Sequence, residues 1–132
     1  MSPLRRERVE LRARYSCEYC HAPMRICAYT FHVEHCVPRS RGGADADDNL
    51  AQSGAQCNLK KGGQIAAADR VTCQQAALFN PRRERWAEHF RLRGSRVEGL
   101  TPVGRATVIL LDMDSAMRQE ARAAWRATGL WP

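Results

Sequence analysis

A polar signature runs through the first half of the chain: Phe31-His-Val-Glu-His-Cys-Val-Pro-Arg-Ser-Arg-Gly-Gly43, then Asp48-Asn-Leu50, then Cys57-Asn-Leu-Lys-Lys-Gly-Gly63. Residues 29–37 are rich in β-forming side chains and predict a strand. Residues 39–47 form a polar loop with a glycine pair. Asp47 or Asp48 can cap a helix that runs to about Lys61 and stops at two further glycines. The signature therefore predicts a strand, a loop and a helix in succession.

Three side chains of this signature carry the groups that phosphodiester hydrolysis requires. An imidazole can deprotonate water near neutral pH, and His35 supplies one. Hard divalent ions that neutralise phosphate charge prefer oxygen ligands and keep several waters, so the carboxylate of Glu34 and the amide of Asn58 suffice. Neighbours in a regular strand face opposite sides. Glu34 and His35 can therefore share a site only where the strand ends or twists, and Pro38 provides such an end.

The signature resembles that of the HNH endonucleases, whose catalytic core is the ββα-metal fold, and the resemblance covers residues 15–63. It implies that His35 is the general base, that Glu34 ligates the catalytic metal where the family more often has Asp, and that Asn58 is a second ligand. Asn49 takes the position at which the family uses Asn to brace the loop that bears the histidine. Because members cut or nick DNA with Mg²⁺, Mn²⁺ or a similar ion, the resemblance implies a metal-dependent DNA endonuclease.

The cysteines depart from the family pattern. Many members hold the core with two Cys-x-x-Cys knuckles around a structural Zn²⁺, which takes four ligands. Cys17 and Cys20 match the first knuckle, but the second has only Cys57, because position 54 is glycine. Two interpretations remain open. Either another Cys or His completes a degenerate zinc site, or the three thiols pack together as small apolar groups without metal.

The charge of the chain points to a polyanionic partner. Its 132 residues include 21 basic and 14 acidic side chains, for a net charge of +7. The candidate DNA contacts are Arg39 and Arg41, which flank the loop, and Lys60 and Lys61, which close the predicted helix. Such contacts hold phosphates and make binding sensitive to salt. The arginines of the N-terminal segment are weaker candidates, because a charged helix face is usually only solvated.

The segments around the signature complete the predicted fold. Residues 4–15 predict an Arg-rich amphipathic helix, and residues 64–77 a linker or loosely structured arm. Residues 78–132 predict a C-terminal extension that packs on the 15–63 core. The predicted fold class is α+β: a ββα-metal core with an N-terminal helix and a C-terminal β-hairpin plus two helices. We expect residues 1–132 to form a single compact unit.

The C-terminal extension has clear local signals. Residues 86–100 predict a hairpin around Arg93-Gly-Ser95, Thr101-Pro102 starts a helix, and Asp114 or Ser115 caps a second one. The runs Leu78-Phe-Asn-Pro-Arg82 and Gly99-Leu-Thr-Pro-Val-Gly-Arg-Ala-Thr-Val108 resemble a tail carried by a bacterial group of HNH proteins, with no chemistry attached to it. Large apolar side chains at strand and helix spacing predict the core: Trp86, Phe90, Leu100, Val108, Leu111 and Trp125.

These features favour an HNH-type endonuclease that hydrolyses DNA with a histidine base and one divalent metal. The alternatives are a catalytically silent nucleic-acid-binding protein and a zinc-knuckle adaptor for protein partners, which Gly54 weakens. No stretch approaches the ~18 apolar residues of a membrane span, and no apolar run follows the basic N-terminus. We therefore expect a cytoplasmic protein without a membrane partner. Small single-site nucleases often dimerise to break both strands, although the sequence marks no dimer surface.

Overall fold

The structure is a computed structural model that describes residues 1–131. It contains five helices and six strands, together with 3₁₀ turns at Arg39–Arg41 and Asp47–Asn49. In chain order they are α1 (Pro3–Arg12), β1 (Phe31–His35), β2 (Leu50–Gly54), α2 (Ala55–Lys61), β3 (Ala66–Asp69), β4 (Gln74–Ala77), α3 (Trp86–His89), β5 (Phe90–Arg93), β6 (Arg96–Gly99), α4 (Pro102–Leu110) and α5 (Ala116–Ala127). The fold class is α+β, as the sequence predicts.

The signature folds as a β-hairpin followed by a helix. β1 pairs antiparallel with β2, from Phe31 opposite Gly54 to His35 opposite Leu50, and α2 begins directly after β2. The prediction of one helix from Asp47 or Asp48 to Lys61 is wrong, because residues 50–54 are a strand. All five of these residues are buried. Pairing with β1 and burial therefore override the weak helical signal of a short polar segment.

Residues 64–77, for which the sequence predicts a linker or loose arm, form the antiparallel β3–β4 hairpin. The hairpin packs against α4. Asp69 at the end of β3 is buried, and both of its carboxylate oxygens accept hydrogen bonds from Arg105, at 2.8 and 3.0 Å. The order of this segment therefore depends on a residue far along the chain, which local sequence patterns do not reveal.

The C-terminal extension follows the prediction closely. Its hairpin is β5–β6, and residues 86–89, which the sequence predicts to belong to it, form one helical turn instead. Thr101 caps α4 by accepting a hydrogen bond from the Gly104 amide, and Pro102 occupies the first turn. Ser115 caps α5 in the same way. These starts are found from sequence because a cap is a local interaction.

The glycine-containing run before and within α4 has a packing role. A Cβ atom at Gly104 would lie 1.9 Å from the backbone oxygen of His89, so only glycine allows α4 to approach this chain segment. Thr107 receives a hydrogen bond from the Phe79 amide and donates one to Val103, at 2.9 and 2.7 Å. The run thus joins α4 to its neighbours, which gives this part of the tail a structural explanation.

The core extends from the cysteine-bearing segment into the extension. Phe90, Val108 and Leu111 are buried, and Trp86 and Trp125 pack against the core while remaining partly exposed. Leu100 is the exception among the predicted core residues, because it is 43% exposed. Of the helices within residues 1–131, none has the length and apolar character needed to cross a membrane.

Candidate active site and cysteine cluster

His35 ends β1 and faces the following loop. Its Nε2 lies 2.9 Å from Oδ1 of Asp45, and 27% of its side chain is exposed. Asp45 also accepts a hydrogen bond from Arg5 at 3.1 Å and lies 4.0 Å from Arg39. The hydrogen bond to His35 is the largest of several effects that lower the pKa of the Asp45 carboxyl below its ordinary value. A charged carboxylate therefore orients the imidazole.

Asn49 ties together the two ends of this loop. Its Oδ1 accepts a hydrogen bond from the Val37 amide at 2.9 Å, and its Nδ2 donates to the oxygens of Val37 and Ala44 at 2.9 and 2.8 Å. A Cβ atom at Gly43 would overlap the Val37 oxygen, at 1.8 Å, so the loop closes tightly only with glycine there. These contacts fix the backbone two residues beyond His35.

Glu34 points in the other direction, into the core. Only 8% of its side chain is exposed. Its Oε1 accepts a short hydrogen bond from the Tyr19 hydroxyl, and its Oε2 lies 3.5 Å from Nζ of Lys61. Burial raises the pKa of the Glu34 carboxyl despite the neighbouring ammonium. Glu34 and His35 thus face different partners, as neighbours in a regular strand do, and the end of the strand near Pro38 does not bring them to one site.

The structure places Lys61 differently from the sequence expectation. Its side chain is 2% exposed, and Nζ donates to the backbone oxygen of Cys36 at 3.2 Å while facing Glu34. It is therefore an internal partner of Glu34 rather than a surface contact for DNA. Asn58 lies one turn earlier on α2, is half-buried, and makes no side-chain hydrogen bond within residues 1–131. The amide of Asn58 is thus free to take a ligand.

The remaining basic candidates are at the surface. Arg39 is 67% exposed, Lys60 is exposed, and Arg41 donates to the Gly63 oxygen at 2.7 Å. The N-terminal arginines instead serve the fold: Arg5 and Arg8 pair with Asp47, and Arg12 donates to the oxygens of Asp47 and Leu50. Helix α1 is thereby fastened to the loop and to the start of β2.

Two residues of the extension that carry functional types of side chain also have structural partners. His89 lies 2.6 Å from Oγ1 of Thr101 and 2.9 Å from a Glu84 carboxylate oxygen, contacts that give it a structural role. Arg105 pairs with an acid, Asp69.

Cys17, Cys20 and Cys57 come together in a buried cluster, with sulfur atoms within 4.8 Å of one another. A metal could be held by such a group. Burial raises the pKa of the Cys17 thiol to about 12, whereas hydrogen bonds from the other two thiols hold the pKa of Cys20 well below its usual range. A further contact completes the cluster: Nη2 of Arg118 in α5 donates to Cys57 Sγ at 3.0 Å.

Sequence reasoning missed three partners of these sites: Asp45, Tyr19 and Arg118. Asp45 lies in the polar loop beside two other acids, and nothing local distinguishes it. Tyr19 lies inside the first knuckle, where an apolar role is the ordinary interpretation. Arg118 is 61 residues from Cys57. Only the fold brings them to their partners.

Residues 17–64 match the family model of the HNH endonuclease. The match confirms the resemblance of the signature for this segment, which contains β1, β2, α2 and the three clustered cysteines. No curated protein and no solved structure matches the chain. HNH segments are typical of nucleases and nucleic-acid-binding proteins, and the match supports that class for this part of the chain.

Proposed function

We propose that the protein is a metal-dependent DNA endonuclease of the HNH type. The observation that carries the proposal is the position of His35 in the family-matched segment. It ends a strand, remains accessible, pairs with Asp45 and adjoins a loop held by Asn49. An oriented, accessible imidazole is the group that activates water for attack on a phosphodiester.

In the proposed reaction His35 takes the proton of the attacking water. The Asp45 carboxylate orients the ring and stabilises the imidazolium that forms, as an acid partner does for a catalytic histidine. The proton leaves the water as its oxygen bonds to phosphorus, and the bond to the leaving oxygen breaks. Because Asp45 holds Nε2 of the ring, the proton of the water goes to the other ring nitrogen, Nδ1.

The proposed metal ligands are the Glu34 carboxylate and the Asn58 amide oxygen. A carboxylate with one amide suits a hard ion such as Mg²⁺ or Mn²⁺, which would neutralise charge on the phosphate and the leaving oxygen. Asn58 is free to bind. Glu34 first has to give up part of its contact with Lys61, whose 3.5 Å separation is longer than a tight ion pair.

The proposed DNA contacts are Arg39, Arg41 and Lys60. All three are exposed, and they lie near the His35 loop or at the end of α2. They would hold backbone phosphates rather than read bases, which positions a scissile bond without selecting a sequence.

One observation favours a second candidate, a nucleic-acid-binding protein that does not cleave. Both oxygens of Glu34 already have internal partners, Tyr19 and Lys61. If this arrangement persists on DNA, the metal loses a ligand while the basic surface still binds.

Incubation with supercoiled plasmid separates the two candidates. The purified chain is incubated with Mg²⁺, Mn²⁺ or EDTA, and nicked and linear products are measured beside DNA retardation. Products with a divalent ion that vanish in EDTA support the nuclease. Retardation of DNA without a cleavage product at any ion identifies a nucleic-acid-binding protein that does not cleave. If neither retardation nor product is seen, both proposals are overturned. Glu34→Gln tests the ligand role, with Glu120→Gln on the exposed part of α5 as its control.

A further inference from the structure

The cysteine cluster has three sulfur ligands and no fourth. Within residues 1–131, the group that could hold a metal consists of Cys17, Cys20 and Cys57 alone. All three are at most 3% exposed, so solvent does not reach the cluster freely. A structural Zn²⁺ takes four protein ligands in a closed tetrahedron. The donor set is therefore incomplete for the zinc that the HNH family often carries.

The space beside Gly54, where the second knuckle lacks its cysteine, is tight. A side chain at Gly54 would start 3.1 Å from the ring carbon Cε2 of Tyr29 and 3.8 Å from the ring of Phe31. These two rings stack with centroids 5.6 Å apart. A cysteine at position 54 would therefore have to displace the Tyr29 ring by a few tenths of an ångström.

A fixed positive charge lies against the cluster. Arg118 is 8% exposed, and its guanidinium donates to Cys57 Sγ at 3.0 Å, to the Leu111 oxygen at 2.7 Å and to the Asp112 oxygen at 3.1 Å. The two backbone oxygens hold the side chain in place, so its contact with sulfur is not incidental. A second cation on the same sulfur would be repelled strongly in this dry environment.

We propose that the cluster of Cys17, Cys20 and Cys57 holds no structural zinc, and that Arg118 supplies the positive charge that clamps this corner of the core. Helix α5 of the C-terminal extension, which carries Arg118, then replaces the metal as the element that holds the cysteine-bearing segments together. The guanidinium already places one positive charge beside the buried sulfur atoms, so the cluster needs no further cation. The proposal stands independently of the nuclease assignment.

Metal analysis of the unmodified full chain tests the first half of the proposal. The protein is produced in zinc-supplemented medium and purified without chelators, and its zinc is measured by mass spectrometry. We expect far less than one zinc per chain, and an unchanged unfolding midpoint after dialysis against EDTA. Stoichiometric zinc whose removal lowers the midpoint overturns the proposal. This measurement decides even if a variant at Arg118 does not fold.

Arg118→Met tests the second half, with Arg126→Met on the exposed part of the same helix as control. Alkylation of individual cysteines is followed by peptide mass spectrometry, with the exposed Cys73 as internal reference. We expect Arg118→Met to speed alkylation of the cluster about tenfold or more, because the clamp no longer opposes local opening. The control should leave the rate unchanged. Equal rates in both variants overturn the role of Arg118.

A double-mutant cycle identifies the partner. Arg118→Met should lower the unfolding midpoint by several degrees in the wild-type chain and much less in a Cys57→Ala background, because the partner is then already absent. An equal loss in both backgrounds shows that Arg118 acts through the Leu111 and Asp112 oxygens alone, and it contradicts the proposal.

Discussion

Adjacent residues can have unrelated roles when a strand separates their side chains. His35 faces Asp45 and solvent, whereas Glu34 faces Tyr19 and Lys61 in the interior. The signature alone presents the two as a pair. In the folded chain the two side chains have different surroundings. The catalytic proposal therefore requires Glu34 to loosen its contact with Lys61 when DNA or metal binds.

Asn49→Ala tests the brace of the loop at the candidate active site. The substitution removes three hydrogen bonds. It leaves the amide and the oxygen of Val37, and the oxygen of Ala44, without this partner. We expect the free energy of unfolding to fall by about 1–3 kcal/mol, and plasmid cleavage to fall with it. Urea denaturation measures the first effect. Ser40→Ala, in the exposed part of the same loop, should change neither quantity, and equal stability of the two variants would contradict the role of Asn49.

Asp69→Asn tests the buried ion pair of the β3–β4 hairpin. Hydrogen bonds from Arg105 hold the pKa of the Asp69 carboxyl well below its ordinary value of 3.8. A carboxyl whose pKa is lowered by folding stabilises the fold at pH values above its ordinary pKa. This contribution is lost as the pH falls toward the lowered pKa. The variant should melt at a lower temperature than wild type at pH 7.

The pH dependence supplies the check for Asp69. The difference in melting temperature should shrink as the pH is lowered below 3.8. Glu120→Gln, at an exposed site, should show little difference at pH 7. A gap for Asp69→Asn that is constant with pH would rule out the ion pair as its cause.

At the scale of elements, the sequence predicts what local interactions determine. Thr101-Pro102 and Ser115 start α4 and α5 because their caps act within one turn. The sequence does not predict β2, because its strand conformation depends on pairing with β1. The sequence does not predict the β3–β4 hairpin either, because Asp69 pairs with Arg105, which is 36 residues away.

In the candidate site, too, the sequence predicts some residues and not the partners that the fold brings to them. His35 and the loop residue Asn49 stand in a recognisable order in the chain, so the sequence indicates them. The partners that set their chemistry do not: Asp45 is one acid among several, and Lys61 reads as a surface lysine until Glu34 is seen beside it. Charge and order are visible in a sequence, whereas burial is not.

Thr101→Ala tests the junction between β6 and α4. Its hydroxyl oxygen caps the helix at the Gly104 amide and contacts Nδ1 of His89 at 2.6 Å. Loss of a threonine cap costs about 0.5–2 kcal/mol, and the additional, part-buried contact with the histidine should place the result at the upper end. Thr101→Ser keeps the oxygen and should recover most of the stability in thermal denaturation. Equal losses in the two variants would exclude the hydroxyl.

At the scale of the whole molecule, the C-terminal extension closes on the first knuckle. The indole nitrogens of Trp86 and Trp131 donate to the oxygens of Tyr19 and His21 at 2.7 and 2.8 Å. Arg82 pairs with Glu18 at the same segment. Because both parts share these contacts and one core, we propose that the chain is a single compact unit.

A single unit should unfold in one cooperative transition. Tryptophan fluorescence reports on the extension, since all three tryptophans lie at or beyond position 86, and alkylation of Cys17 and Cys20 reports on the core. In a urea titration the two probes should give the same midpoint. A lower midpoint for tryptophan than for the cysteines would show that the extension separates first, and would contradict the proposal.

The most direct measurement is the initial rate of plasmid nicking by His35→Ala. Loss of a general base should slow cleavage by about 10²–10⁴-fold, while the unfolding midpoint and DNA retardation stay near wild type. His32→Ala, an exposed histidine of the same strand, controls for substitution in β1 and should cleave normally. A His35→Ala protein that nicks DNA at the wild-type rate, purified free of other nucleases, would contradict the assignment of His35 as the base.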